Sequence, residues 1–371
     1  MSAPLVLTSG RIIDGRGDLS AVTAAEAKLA AAGCATVTLH IDPLKAGWDT
    51  PLQTNHFRSG CAPIEALARA GEMLAQSACE AVVISGTDNL RSGFAGRTEQ
   101  RRKLMNIYGD GCPLPEAYTQ LAHAFIEKNR ISAEAFKETA ALLYDNYRRT
   151  AQRAEIDSQP DSRWIKPVTA LFRGIDCANP FIDFRGKLIL GTTRAADFCG
   201  IPLKKRIGVL GVGLGQTAGD GPEHINEIAV YTHLKKAFRN ACSQAGINFA
   251  ERFLQHTALL ETYTCYPVVP MAFLLAGGIA ATIGDIPRIL TNYDVTVTGG
   301  MNIARAPWNN PALNALICMH HKLEQGPVTL GAVHGNGGLG ARQGVAVLGL
   351  VEREPSAVPP SVAQATAEDE R

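Results

Sequence analysis

Three short segments carry side chains whose types and spacing could do chemistry. In "RSGCAPIEALARAGEML" (58–74), Cys61 stands two residues before Pro63 at the head of an amphipathic run. Proline suits the first turn of a helix, where its missing N–H has no intrahelical partner. Cys61 then falls at or just before the N-cap. Free N–H groups and the positive helix end favour a thiolate there, and the N–H groups around residues 61–63 could hold the oxyanion of a thioester under attack. The alternative is a small, buried, inert residue, as most free cysteines are. In "LGAVHGNGGLGARQG" (330–344), a short strand delivers His334 into a glycine-rich loop whose backbone can approach a ligand closely; the alternative is a hydrogen-bonded core histidine. In "VTVTGGMNIARAPWNNPALNALICMHHKLEQGP" (295–327), a strand, paired glycines and a tight loop lead into a helix at Asn309, Asn310 and Pro311. Those amides suit a polar ligand, or they simply cap the helix. "GVLGVGLGQTAGDG" (208–221) spaces its glycines G-x-G-x-G, which misses the dinucleotide-binding pattern G-x-G-x-x-G.

The elements that must position these residues alternate between helix and strand. "TAAEAKLAAAGCATVTLHI" (23–41) reads as a helix closed by Gly33 and then a strand. Residues 58–88 read as turn, helix and strand, with Ile64, Leu67, Ala70 and Leu74 on one helical face. Residues 89–180 are richer in Arg, Lys, Tyr and Glu, with helical patches at 114–129 and 132–152 and a polar linker at 157–163, and read as an insertion. Strand patterns return at 181–192, 206–215, 258–267 and 294–300, with helices expected at 223–246 and 310–325 and closing strands at 328–335 and 344–352. This alternation is α/β layering.

Composition narrows the partners. A chain of 371 residues, 46% apolar, can bury a sizeable core. A net charge of +1 without a basic patch argues against nucleic acid or a membrane surface. The longest apolar stretch, 266–284, holds two prolines and three glycines, so it reads as a buried helix and loop rather than a membrane span. The N-terminus lacks the pattern of a secretory signal. Nine scattered cysteines, an odd number without CxxC pairs, fit reduced thiols and a cytoplasmic location, and His and Cys never cluster at zinc spacing, so no metal is expected.

"TGGMNIARAP", the Asn-Asn helix after it and the glycine-rich closing loop together resemble the thiolase superfamily, closest to its acetyl-CoA acetyltransferase-like and sterol-carrier-type branches. "GCAPIEALARAGEMLAQSACEAVVISGTDNL" resembles the nucleophile helix and the strand after it, "ETYTCYPVVPMAF" the Tyr-Ser-Cys-Phe-Pro loop, and "NPFIDFRGKLILGTTRAADFCGIP" the strand and helix that close the first half. The resemblance spans residues 56–352. It implies an α/β, five-layer αβαβα sandwich of two similar halves: residues 1–88 and 181–205, then 206–352, with an inserted helical loop domain at 89–180. The Pro-, Ala- and charge-rich 353–371 reads as a disordered tail. It further implies a coenzyme A thioester as substrate, a place in lipid metabolism, a homodimer or homotetramer, and in some relatives a small OB-fold partner protein.

Thiolase chemistry needs a cysteine that takes the acyl group, a histidine that activates it, and a second cysteine that moves an α-proton. Matched without gaps, Gly60 takes the nucleophile position with Cys61 one residue later; a single-residue shift restores Cys61. The activating histidine falls on Ala306, and the second cysteine on His334 or Val333. The loop that carries an asparagine in thiolases is "TYTCYP" here, with Tyr263 and Cys265. The expectation is an acyl-CoA acyltransferase that transfers acyl groups or makes or breaks a carbon–carbon bond. Cys61 would be its nucleophile, or Cys265 if Gly60 marks that place. His334 would be the base, Gly335, Gly337 and Gly338 would give the thioester room, and Asn309 and Asn310 would contact substrate. The departures from the family pattern favour a second reading, a non-catalytic subunit that binds coenzyme A or a partner protein.

Overall fold

A computed structural model describes residues 3–156 and 162–351, apart from the side chain of Arg163. Its strands are β1 (Leu5–Ile13), β2 (Arg16–Asp18), β3 (Thr36–Ile41), β4 (His56–Phe57), β5 (Ala81–Asn89), β6 (Asp183–Gly191), β7 (Ile207–Gln216), β8 (Leu259–Glu261), β9 (Leu330–Gly337) and β10 (Arg342–Leu350). Its helices are α1 (Ser20–Ala31), α2 (Ala62–Ala75), α3 (Thr98–Met105), α4 (Leu114–Asn129), α5 (Ala133–Arg153), α6 (Ser162–Ile165), α7 (Thr193–Cys199), α8 (Ile225–Ile228), α9 (Thr232–Ala245), α10 (Phe249–Leu254), α11 (Val268–Ala276), α12 (Ile286–Asn292), α13 (Gly300–Ile303) and α14 (Pro311–Gln325).

The strands join in the order β4-β3-β5-β6-β1-β7-β10-β9-β8, with β2 on β1. β1 and β7 meet at only two pairs, Leu5 with Gly208 and Val6 with Ile207. This narrow seam divides the sheet into an early and a late half. Strand residues alternate between faces, and the cores on those faces reveal the layers. Val22 and Leu29 of α1 and Ala195 of α7 pack on Leu7, Val83 and Ile189. Ile64 and Leu67 of α2, with Leu313 and Leu316 of α14, fill the space between Val82, Ile84 and Leu188 of the early half and Val333, Ala346 and Leu348 of the late half. Leu234 of α9, Phe273 of α11 and Ile289 of α12 cover Ala332, Val345 and Val347. The result is helix, sheet, helix, sheet, helix. Strands covered on both faces read as continuous apolar runs, as "GVAVLGL" does.

Between β5 and β6 lie α3 to α6. α5 lies on α12 and α13, and α4 lies on α8 and α11. Asn146 pins α5 in place. Its amide donates to the carbonyls of Leu290 (2.7 Å) and Tyr293 (2.6 Å) and accepts from the N–H of Val295 (3.1 Å).

Two expected elements take another form. The helix over 223–246 is broken into α8 and α9, because the buried Tyr231 adopts a left-handed backbone (φ 52°) with its ring edge-on to Phe125. Residues 294–300 form no strand: the carboxylate of Glu261 takes the N–H groups of Val297 (2.6 Å) and Thr298 (2.9 Å) that a ladder would need. The strand expected over 258–267 shortens to β8, and the segment after it turns toward the inserted helices. The tail at 353–371 and most of the linker at 157–163 lie outside the described residues. Among the described residues no helix is long and apolar enough to cross a membrane.

Candidate functional site

The structure does not bring Cys61 and His334 together. Cys61 is the N-cap of α2, 1% exposed, and its thiol points into the middle layer. A Cβ added to Gly344 would lie 2.8 Å from its sulfur, so a glycine is needed for β10 to pass this close. Gly344 stands opposite Gly335, and the next pair along is Val345 with His334. Neighbouring positions on a strand face opposite ways. The imidazole therefore lies on the other side of the sheet, 4.5 Å from the ring of Phe273. Its Nδ1 accepts from the N–H of Tyr263 (3.3 Å) and its Nε2–H donates to Oε1 of Gln343 (2.6 Å). Burial pulls its pKa down to about 4, so it stays neutral.

Cys61 is no better prepared as a nucleophile. Burial, with Glu65 adding to it, pushes its thiol well above the usual cysteine range. Nor are N–H groups free at residues 61–63 to hold an oxyanion. That of Cys61 goes to Oγ of Ser59 (3.1 Å), that of Ala62 to the carbonyl of Ser59 (3.1 Å), and Pro63 has none. Ala306 and His334 both border a cleft of about 10 Å³ beside Glu261 and Arg305, room for about one water.

Cys265, Asn309 and Gly338 do meet, around a cavity of about 300 Å³ that Gly60, Tyr118, Tyr263 and Asn336 also line. Gly335 and Gly337 instead pack against Ile64 and Ser59. The walls come from the loop at residue 48, the inserted helices, the segment after β8, the loop before α14 and the end of β9. The hydroxyl of Tyr263 takes the place a side chain at Gly60 would need: a Cβ there would lie 2.1 Å from that oxygen and 2.3 Å from the carbonyl of Asn336. At Gly60, matched by sequence to the nucleophile position of thiolases, a phenol from another segment fills the space of a side chain.

A chain of oriented hydrogen bonds connects this cavity to the core. His334 donates to Gln343, whose amide donates to Oδ1 of Asn336 (2.7 Å); the Asn336 amide donates to the Tyr118 hydroxyl (3.1 Å), which donates to the carbonyl of Gly338 (2.9 Å). The thiol of Cys265 also donates to the Tyr118 hydroxyl (3.5 Å). Burial pushes Cys265 up to about 12 and Tyr263 well above the ordinary phenol range, so both are protonated at neutral pH.

Asn309 and Asn310 are anchored by Asp88, which is fully buried. Its carboxylate accepts from the N–H groups of Leu44, Trp308 and Asn309 (each 3.0 Å) and from the Asn310 amide (2.9 Å). The Asn309 amide donates to the carbonyl of Asp42 (2.8 Å). Asn310 thus braces the wall, and Asn309 borders the cavity with its backbone N–H held by Asp88 and its side-chain amide by the Asp42 carbonyl. Burial raises Asp88 to about 6 despite these donors. Sequence reasoning missed Asp88, Tyr118 and Asn336 as site residues. Tyr118 sits inside an ordinary amphipathic helix with no local signal. Asn336 does have one, since an amide between glycines at a strand end has few reasons to be buried.

Five layers, two middle helices and a cavity roofed by inserted helices define the thiolase-like α/β fold. Two solved structures share it. One is a monomeric SCP2-thiolase-like protein type 1 from Mycobacterium smegmatis: TM-score 0.67, 18% identity, 95% of this chain and 78% of that one. The other is the Ltp2-ChsH2(DUF35) aldolase: TM-score 0.61, 15% identity, 95% of this chain and 99% of the matched chain. No protein-family model matches the sequence. No curated protein matches it either.

Proposed function

We propose that this chain breaks a carbon–carbon bond beside a thioester, acting on a β-hydroxyacyl thioester of coenzyme A without carrying the acyl group on a cysteine. The observation behind this reading is the Tyr263 hydroxyl standing where a side chain on Gly60 would be, at the start of α2 and on the wall of the cavity. None of the described residues lining that cavity is a carboxylate, a histidine or an amine. Its titratable groups are phenols and thiols, which rest in their protonated form. Cleavage of a β-hydroxyacyl thioester moves one proton, from the β-hydroxyl to the α-carbon. A phenol that gives its proton to the α-carbon while taking up the hydroxyl proton balances that change without an ionised base. The aldolase of the same fold supports this reaction class.

A second reading remains, a non-catalytic subunit that binds coenzyme A or a partner. It is favoured by the use of Cys61 and His334 in packing and hydrogen bonding. The complex in which the aldolase neighbour occurs makes a small partner protein a reasonable proposal, alongside a homodimer or homotetramer.

The test is to incubate the chain with a panel of β-hydroxyacyl-CoAs and follow the carbonyl product and the shortened acyl-CoA by mass spectrometry. Removing a proton-transfer group from such a site costs about 10²–10⁴ in rate, and Tyr263→Phe is expected to lose that much while Cys61→Ala keeps full activity. An acyl adduct on either cysteine would refute the mechanism. Binding of coenzyme A without any product would favour the subunit.

A further inference from the structure

The sequence contains three tryptophans, Trp48, Trp164 and Trp308. They come from a loop after β3, from α6 and from the loop before α14, yet all three line the one cavity described above. Tyr118 and Tyr266 line it too, their rings stacked with centroids 4.1 Å apart at 16°. Aromatic side chains present flat, rigid faces and gain from stacking beyond the area they bury. The cavity of about 300 Å³ is roughly twice the size of an apolar cavity that takes up benzene. Four of its polar residues lie together, since Tyr118 joins Cys265 to Asn336, and Tyr263 and Asn336 both crowd Gly60.

We infer that the acyl group held here has a flat body of one or two rings, with its reacting end at the Tyr263 and Asn336 cluster, and is not a linear alkyl chain. This rests on the thioester reading above for the reacting end and on the tryptophan walls for the body. Because every tryptophan faces the cavity, their emission, excited at a wavelength only indole absorbs, reports its occupancy.

Three probes separate the two parts of the argument: 3-phenylpropanoyl-CoA, nonanoyl-CoA with the same number of acyl carbons, and 3-phenylpropanamide, a ring without a thioester. The expected result is a shift of tryptophan emission on titration with the ring thioester, with affinity at least about tenfold above the linear one, or about 1.4 kcal/mol. Trp308→Leu should abolish that preference. Trp48→Leu serves as a second variant if the first fails to fold. Equal or tighter binding of nonanoyl-CoA would overturn the ring inference and leave the thioester reading standing. Binding of the amide but of neither thioester would support the ring inference and sink the thioester reading. No response to any of the three would overturn the inference.

Discussion

Gly60→Ala is the most direct probe of the site. The added Cβ would stand 2.1 Å from the Tyr263 hydroxyl, 2.7 Å from the carbon that bears it, and 2.3 Å from the carbonyl of Asn336. All are far inside van der Waals contact. The Asn336 carbonyl belongs to β9, whose ladder with β10 holds it in place. The tyrosine can move only by giving up its place on the cavity wall. Overpacking of this kind costs about 1–3 kcal/mol. In Tyr263→Ala the hydroxyl and ring are gone, so the second substitution meets the Asn336 carbonyl alone. A double-mutant cycle on Gly60→Ala and Tyr263→Ala should therefore show a favourable coupling of about 1 kcal/mol or more, well outside the 0.3–0.5 kcal/mol expected of independent sites. Urea unfolding followed by both circular dichroism and tryptophan emission measures it, with coincident transitions required before the energies are compared. Additive costs, or a Gly60→Ala variant as stable as the wild type, would mean that the phenol does not stand there, and the proposed mechanism would fall with it.

Other substitutions test the rest of the site. Cys61→Ala should cost about 1–2 kcal/mol through lost packing, and native Cys61 should resist alkylation, since buried thiols are inert; rapid labelling of the folded protein would contradict its placement. His334→Leu should leave the Tyr263 N–H and Oε1 of Gln343 unpaired, at about 1–3 kcal/mol each, read as a lowered unfolding midpoint. In the wild type the His334 imidazole should stay neutral, with its proton on Nε2, down to about pH 5, as ¹⁵N chemical shifts would report. Its folded pKa of about 4 lies below the usual 6.5, so its contribution is fully present above pH 6.5. That contribution is lost as pH falls toward 4, by about 3 kcal/mol in all. Asp88 runs the other way. Its folded pKa of about 6 is raised from 3.8, so its contribution is fully present below pH 4. It is lost as pH rises through 6, again by about 3 kcal/mol. The two oppose each other in one window, so the measurement is the difference between wild type and Asp88→Asn from pH 4 to 7. A flat difference would show that the carboxylate is not buried as described.

The layering was legible because it follows from apolar periodicity, and residues such as Ile64, Leu67 and Leu74 repeat at helical spacing whatever lies around them. The broken helix at Tyr231 and the missing strand at 294–300 were not legible, because each depends on a distant side chain: Phe125 for the first, Glu261 for the second. The site divides the same way. Cys265, Asn309 and Gly338 belong to segments whose composition marked them, and they reach the cavity. The Cys61–His334 pair failed on a matter of phase. One position along the first turn of a helix turns a side chain by about 100°, which is enough to send Cys61 into the middle layer instead of the cavity. One position along β9 decides which face receives the imidazole. Types and spacing near a nucleophile helix therefore say little until that phase is known. Gly60 was the more informative residue: a glycine at a helix start, beside a cysteine that cannot reach the cavity, implies that another segment fills the vacated space. Here that segment is the one bearing Tyr263, whose phenol burial keeps in its protonated form.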